Sequence, residues 1–288
     1  MQNNARPFFD FMAARESIRI AKERGDPWPW STDEILTTWK FTNVKREHDR
    51  TTIWMRENWT KPNETRPFGE IVFNCALFRY FGTVEFAEAL GWRRKWNPED
   101  VVDLAARRMS RGERVFTGAY IIPTLGYRGP KAEAVARHIL SPLWQVRDRL
   151  AHIAEATRSW RATADALRAM PGFGGTGFMA KETLQDVIHT PVLASAIDRD
   201  EWCPAGPGAR RGLNRLAGRR LDAVLPEAKL VLEMIALLRL SRSQLASHMP
   251  RLELHDVQFQ LCEFDKYERV RLGEGRPRSK YVCHSGLV

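Results

Sequence analysis

The stretch that most constrains this chain is residues 167–187, LRAMPGFGGTGFMAKETLQDV, where two helical patterns are separated by a turn with one proline and four glycines. Pro171 stops the first helix at Met170, and the glycines permit the positive φ that so short a reversal needs. A second helix opens near Gly177. Leu167, Met170, Phe178, Leu184 and Val187 then face one another across the pair. Backbone N–H groups of such a turn, backed by the positive end of the next helix, suit a phosphate. The plain alternative is an αα-hairpin with a glycine loop.

The rest of the chain reads as further short helices. Phe8, Phe11, Met12, Ile18 and Ala21 share a helical face that Gly25 closes. Alternate prolines hold Asp26-Pro27-Trp28-Pro29-Trp30 extended, so its indoles either stack on a base or staple a loop to the core, the default for Trp28. Ser31 or Thr32 is expected to cap a helical stretch that reaches FTNVKREHDRTTIWMRENW, with Phe41, Val44, His48 and Met55 on one side. Helices are predicted over 70–81, 83–90, 98–112, 130–140, 142–156 and 226–249. Residues 115–131 are the one place where a strand or hairpin remains open. The expected fold is all-α, an orthogonal bundle of short helices, as a single domain over 1–288 with subregions 1–165 and 166–288.

Composition narrows the partners. Lys plus Arg number 45 against 35 Asp plus Glu, a formal charge of +10, which favours a polyanion and above all nucleic acid. Cys75, Cys203, Cys262 and Cys283 show no CxxC pair and no Cys/His ligand spacing, which argues against disulfides and structural zinc. The amino terminus lacks a signal-peptide pattern, and no apolar run approaches the roughly 20 residues of a membrane span. The expectation is a reduced, intracellular, soluble protein without a membrane partner.

Beyond the hairpin lie Asp198 and Asp200, and then Gly206-Pro207-Gly208-Ala209-Arg210-Arg211-Gly212. A helix start with two arginines in its first turn suits a phosphate or pyrophosphate, and a plain surface turn is the competing reading. The carboxy-terminal HDVQFQLCEFDKYERVR alternates acids, bases and aromatics before an arginine-rich tail. Such a tail drapes over a polyanion or stays disordered.

The hairpin resembles the helix-hairpin-helix motif of the helical DNA glycosylases. Four motifs in order, DPWPWSTDEILTTWKFTNVKREHD, PGFGGTGFMAKE, AGPGARRGLNRL and HDVQFQLCEFDKYERVR, resemble a wider family over about residues 8–271. This is the alpha-glutamyl/putrescinyl thymine pyrophosphorylase family of bacteriophage amino acid:DNA transferases, together with the related helical domain of 5-hydroxymethyl-deoxyuridine DNA kinases. The resemblance implies action in the host cytoplasm on DNA carrying a modified thymine, where an amino acid or polyamine replaces a pyrophosphate ester. It also implies working alongside a DNA kinase, because the sequence has no GxxxxGK[ST] loop of its own.

On that reading the target base is flipped or single-stranded. Gly172, Gly174, Gly175, Thr176, Gly177 and Lys181 grip the DNA backbone, and Trp30 stacks on the base. Arg210, Arg211, Lys266 and Arg269 match the leaving pyrophosphate, with Asn214 and Tyr267 beside them. Arg46 and Glu47 hold the incoming amine's remainder, and Asp198 or Asp200 takes its proton. Glu263 and Asp265 hold a divalent cation such as Mg, the one cofactor this reading admits. Cys262 either adds to C6 of the base or is a small buried hydrophobe. A transferase releases pyrophosphate, a glycosylase frees a base, and a non-enzymatic kinase partner leaves DNA unchanged; these three classes remain.

Overall fold

The structure is a computed structural model and describes residues 5–277, 280 and 281. Among them all regular structure is helical, apart from one isolated bridge between Trp39 and Lys280, as the all-α reading expects. In chain order the helices are α1 Arg6–Glu23, α2 Glu34–Thr38, α3 Arg50–Met55, α4 Phe68–Phe81, α5 Val84–Leu90, α6 Pro98–Ser110 and α7 Lys131–Glu133. They continue as α8 Ser141–Thr157, α9 Trp160–Arg168, α10 Phe178–Val187, α11 Pro207–Leu216, α12 Glu227–Gln244 and α13 Leu254–Arg271. Residues 115–131 form turns rather than a hairpin. The two helices expected over 130–156 are continuous through a π-helical segment, Ala134–Leu140.

The chain folds as two compact units, so the subdivision at 165/166 falls inside the second of them. The first comprises Met1–Asp49 and Cys203–Val288. Its centre is α13, whose Leu254, Val257, Leu261 and Phe264 recur at helical spacing and are buried against α1, α11 and α12. Close approach of α11 depends on Gly212, where an added Cβ would collide with the backbone carbonyl of Leu261. The second unit is Arg50–Trp202. Its α4 is buried along its whole length and packs on α8 and α10.

Two local expectations are corrected. The cap of α2 is Asp33, not Ser31 or Thr32; its Oδ1 accepts from Ile35 N at 2.8 Å and Leu36 N at 3.2 Å. The helical stretch expected through residue 59 breaks at Trp39, which is extended, and resumes as a 3-10 turn, Arg46–His48, and then as α3, which continues into a π-helical segment, Arg56–Thr60. Side chains distant in sequence take over the backbone hydrogen bonds that a helix would have made.

Candidate active site

Those side chains belong to α13. Glu263 Oε2 accepts from Thr42 N at 3.0 Å, and Gln260 Nε2 donates to the carbonyls of Asn43 and Val44 at 3.0 and 3.1 Å. Gln260 is held in turn by Arg15 of α1, and Asn43 N donates to Asp49 Oδ1 at 3.0 Å. The Arg46 guanidinium lies over the Phe259 ring, 4.4 Å from its centre. The first and fourth sequence motifs therefore meet in one buried polar network. Burial pushes the Asp49 carboxyl above the usual range, although Asn43 N–H, Arg46 and Arg15 pull the other way. Burial likewise lowers the Arg15 guanidinium against the raising influence of Glu263, Asp49 and Glu16.

The third motif meets the fourth on the opposite side of α13. Asp265 is buried, and its two oxygens accept from Arg211 Nε at 3.0 Å and Arg215 Nε at 2.8 Å; Arg269 Nε lies 3.5 Å away as an ion pair without a hydrogen bond. Arg215 also pairs with Glu274. Side chains of Arg211 and Arg269 are each 35% exposed, so guanidinium N–H groups remain for an outside anion. Arg210 Nε makes no hydrogen bond among the described residues. Gly206 begins α11 without a side-chain cap, which leaves first-turn amides for the same anion.

Other expected site residues take different places. Glu263 and Asp265, two apart on a helix, serve different partners: Glu263 engages Thr42 and Lys266, whose Nζ lies 2.7 Å away, while Asp265 holds the arginines. The cation expected between them has no shared face to occupy. Lys266 also sits 5.2 Å from the centre of the Phe41 ring. Tyr267 OH donates to Asp33 Oδ2 at 2.7 Å, and burial together with Asp33 raises its pKa. Asn214 is fully buried, donating to the carbonyls of Leu221 and Ala223 and accepting from Arg219, so it ties a loop instead of facing substrate. Cys262 is half-buried; its thiol donates to Gln258 O at 3.4 Å and packs where Gly208 leaves room. Trp30 donates to Asp26 O at 2.6 Å and nests edge-on to Trp28 and Tyr281 under Lys22, which is the loop-stapling arrangement.

In the second unit, α9 and α10 are joined by the expected turn. Gly172, Gly175 and Gly177 have φ of 84°, 62° and 73°, conformations costly to other residues. Gly174, Gly175 and Thr176 are exposed at its tip, whereas Gly177 is buried and Gly172 packs against Tyr80 and Ile139. Lys181 does not reach the surface. It is buried and paired with Glu182 at 2.9 Å, because α10 is covered on nearly every side. Asp198 caps α9, accepting from Ser159 Oγ, from Trp160 N at 2.7 Å and from Arg161 N at 3.0 Å. Asp198→Ala should therefore cost about 1–2 kcal/mol in denaturant unfolding; an unchanged midpoint would refute the capping role. Asp200 is half-buried.

Arg15, Gln260 and Arg215 were not among the expected site residues, nor were the buried His255 and Asp256 that meet Glu47, which was expected to hold the amine's remainder. The available signal was His255-Asp256 at the start of a helix whose apolar pattern placed both inside.

The sequence profile of a family described as "5-hmdU DNA kinase, helical domain" matches residues 2–276. A "5-hmdU DNA kinase" of Bacillus phage SP10 is 27% identical over 229 residues, covering 72% of this chain. The chain spans 35% of that relative's length. No solved structure matches. Among the described residues no helix is long and apolar enough to cross a membrane.

Proposed function

This chain belongs to the family of the helical domain of 5-hmdU DNA kinases, and from that premise we propose that it acts in thymine modification of bacteriophage DNA, in the cytoplasm of the infected host. The reaction is exchange of the pyrophosphate of a 5-pyrophosphoryloxymethyl-deoxyuridine for an amine. The amine nitrogen attacks the exocyclic methylene carbon, the C–O bond breaks, and pyrophosphate leaves with the bonding electrons. The nitrogen then gives up a proton.

The observation that carries this reading is the set of arginines fixed by Asp265 beside the uncapped start of α11. A leaving pyrophosphate needs preorganised donors that cost nothing to orient at the moment of reaction, and Asp265 orients these before substrate arrives. Asp198 is committed to capping, and Asp49 lies across α13 from the arginines, so the proton passes from the nitrogen to the departing pyrophosphate or to solvent. In the second unit, the exposed Gly174, Gly175 and Thr176 of the glycine turn are assigned a DNA phosphate contact of their own.

Inorganic pyrophosphate reports on the arginine site without any turnover. Arg210→Ala with Arg211→Ala should weaken its binding about 10- to 100-fold for each charge-assisted hydrogen bond lost. Binding unaltered by both substitutions would move the leaving-group site elsewhere.

A second reading is favoured by the kinase name of the phage relative and by the family match. In it the chain presents 5-hydroxymethyl-deoxyuridine in DNA to a kinase and changes nothing itself. The two readings differ in whether the purified chain alone alters pyrophosphorylated DNA.

A further inference from the structure

At the amino-terminal end of α13, Glu47, His255 and Asp256 bring one ligand atom each within 4.8 Å of one another. Glu47 comes from the 3-10 turn Arg46–His48, and His255 and Asp256 are neighbours in the first turn of α13, more than two hundred residues away. His255 and Asp256 are 2% and 0% exposed, and His255 Nε2 and Asp256 Oδ1 have no hydrogen-bond partner. Nε2 lies 3.5 Å from Asp256 Oδ1 and 3.7 Å from Glu47 Oε1. Those separations are long for hydrogen bonds. They are close to the spacing of about 3.0–3.6 Å between ligands bonded to one ion at about 2.1–2.2 Å.

The arrangement around the histidine points the same way. Nδ1 lies 3.5 Å from Glu253 Oε2, so an ion bound at Nε2 leaves the other ring nitrogen facing a carboxylate. A carboxylate behind a ligating imidazole is how metal sites fix tautomer and ring orientation. Asp256 is positioned independently, since its other oxygen accepts from Glu253 N at 2.9 Å in the capping box of α13. Oδ1 is thereby directed at the cluster.

We propose that Glu47, His255 and Asp256 form a binding site for one divalent transition-metal ion. An imidazole with two carboxylates suits Zn²⁺, Mn²⁺, Fe²⁺ or Co²⁺; Mg²⁺ and Ca²⁺ prefer all-oxygen sets. Two carboxylates balance a divalent charge and leave the imidazole neutral, which removes the cost of uncompensated buried charge. The ion ties the 46–48 turn to α13 and so braces the loop that carries Arg46 and Asp49. The site stands apart from the proposed reaction and is tested without DNA.

The full chain, dialysed against chelator, is titrated with Co²⁺ alone, followed by its visible absorption bands, and then with Zn²⁺ in competition. One Co²⁺ per chain, displaced by Zn²⁺ and accompanied by a rise in the thermal midpoint, is the expected result. Glu47→Gln and Asp256→Asn should each weaken binding by at least about 100-fold, more than loss of a supporting partner costs. Circular dichroism identifies the variants that retain the helical fold. Glu47 lies on a three-residue turn outside α13 and takes no part in its capping box, so Glu47→Gln remains informative if Asp256→Asn unfolds. Absence of stoichiometric binding in the unaltered chain, or equal binding by folded Glu47→Gln, overturns the proposal.

Discussion

Asp186→Ala is expected to destabilise the second unit by about 3–5 kcal/mol, because it strands a buried guanidinium. Arg79 of α4 and Asp186 of α10 form a two-pronged ion pair with side chains 4% and 2% exposed. Burial alone would lower the Arg79 pKa, but Asp186 and Glu182 outweigh it and hold the group charged. The Arg79 carbonyl also accepts from Tyr120 OH at 2.5 Å, so α4 is tied to the long turn segment at the same point. The double change Arg79→Met with Asp186→Leu removes both charges and should recover most of the loss. Urea unfolding of the single and double variants measures this. A cost below about 1 kcal/mol for Asp186→Ala would show that the pair is not what holds α4 to α10.

Gly212→Val should destabilise the first unit. The α11–α13 contact is close enough that even the Cβ of alanine collides with backbone at Leu261, which cannot swing away as a side chain would. Overpacking of this kind costs about 1–3 kcal/mol or more. Arg211 and Arg215 flank Gly212, so pyrophosphate binding should fall together with stability. Gly206→Ala, at a position with no atom within 4 Å of the added Cβ, is the control and should change stability by less than about 1 kcal/mol. A Gly212→Val protein with normal stability would mean that the helices can separate at no cost.

The α9–α10 hairpin was legible because its determinants are local: a proline, positive-φ glycines, and Leu167, Leu184 and Val187 at helical spacing, all fully buried. The path of residues 39–49 was not. Local pattern favoured continuing the helix, and what interrupts it are Glu263 and Gln260, more than two hundred positions away. The same long-range pairing decided the site. Asp198 and Asp200 were read as chemically poised carboxylates, yet the first completes a helix cap across 38 residues of sequence. Gln260, Glu263 and Asp265 carry the polarity of a surface helix but are buried, since each finds its partner on another element. Periodicity places such residues on a helix and is silent on which face another charged segment will cover.

The purified chain, incubated with DNA containing 5-pyrophosphoryloxymethyl-deoxyuridine and a mixture of amino acids and polyamines, is followed by digestion to nucleosides and mass spectrometry. The expected result is a new nucleoside whose mass equals thymidine carrying one amine, formed with release of pyrophosphate and lost in the Arg210→Ala, Arg211→Ala protein. Recovery of the starting nucleoside unchanged, with DNA still bound, would contradict the exchange reaction and leave the chain as the DNA-presenting partner of a kinase.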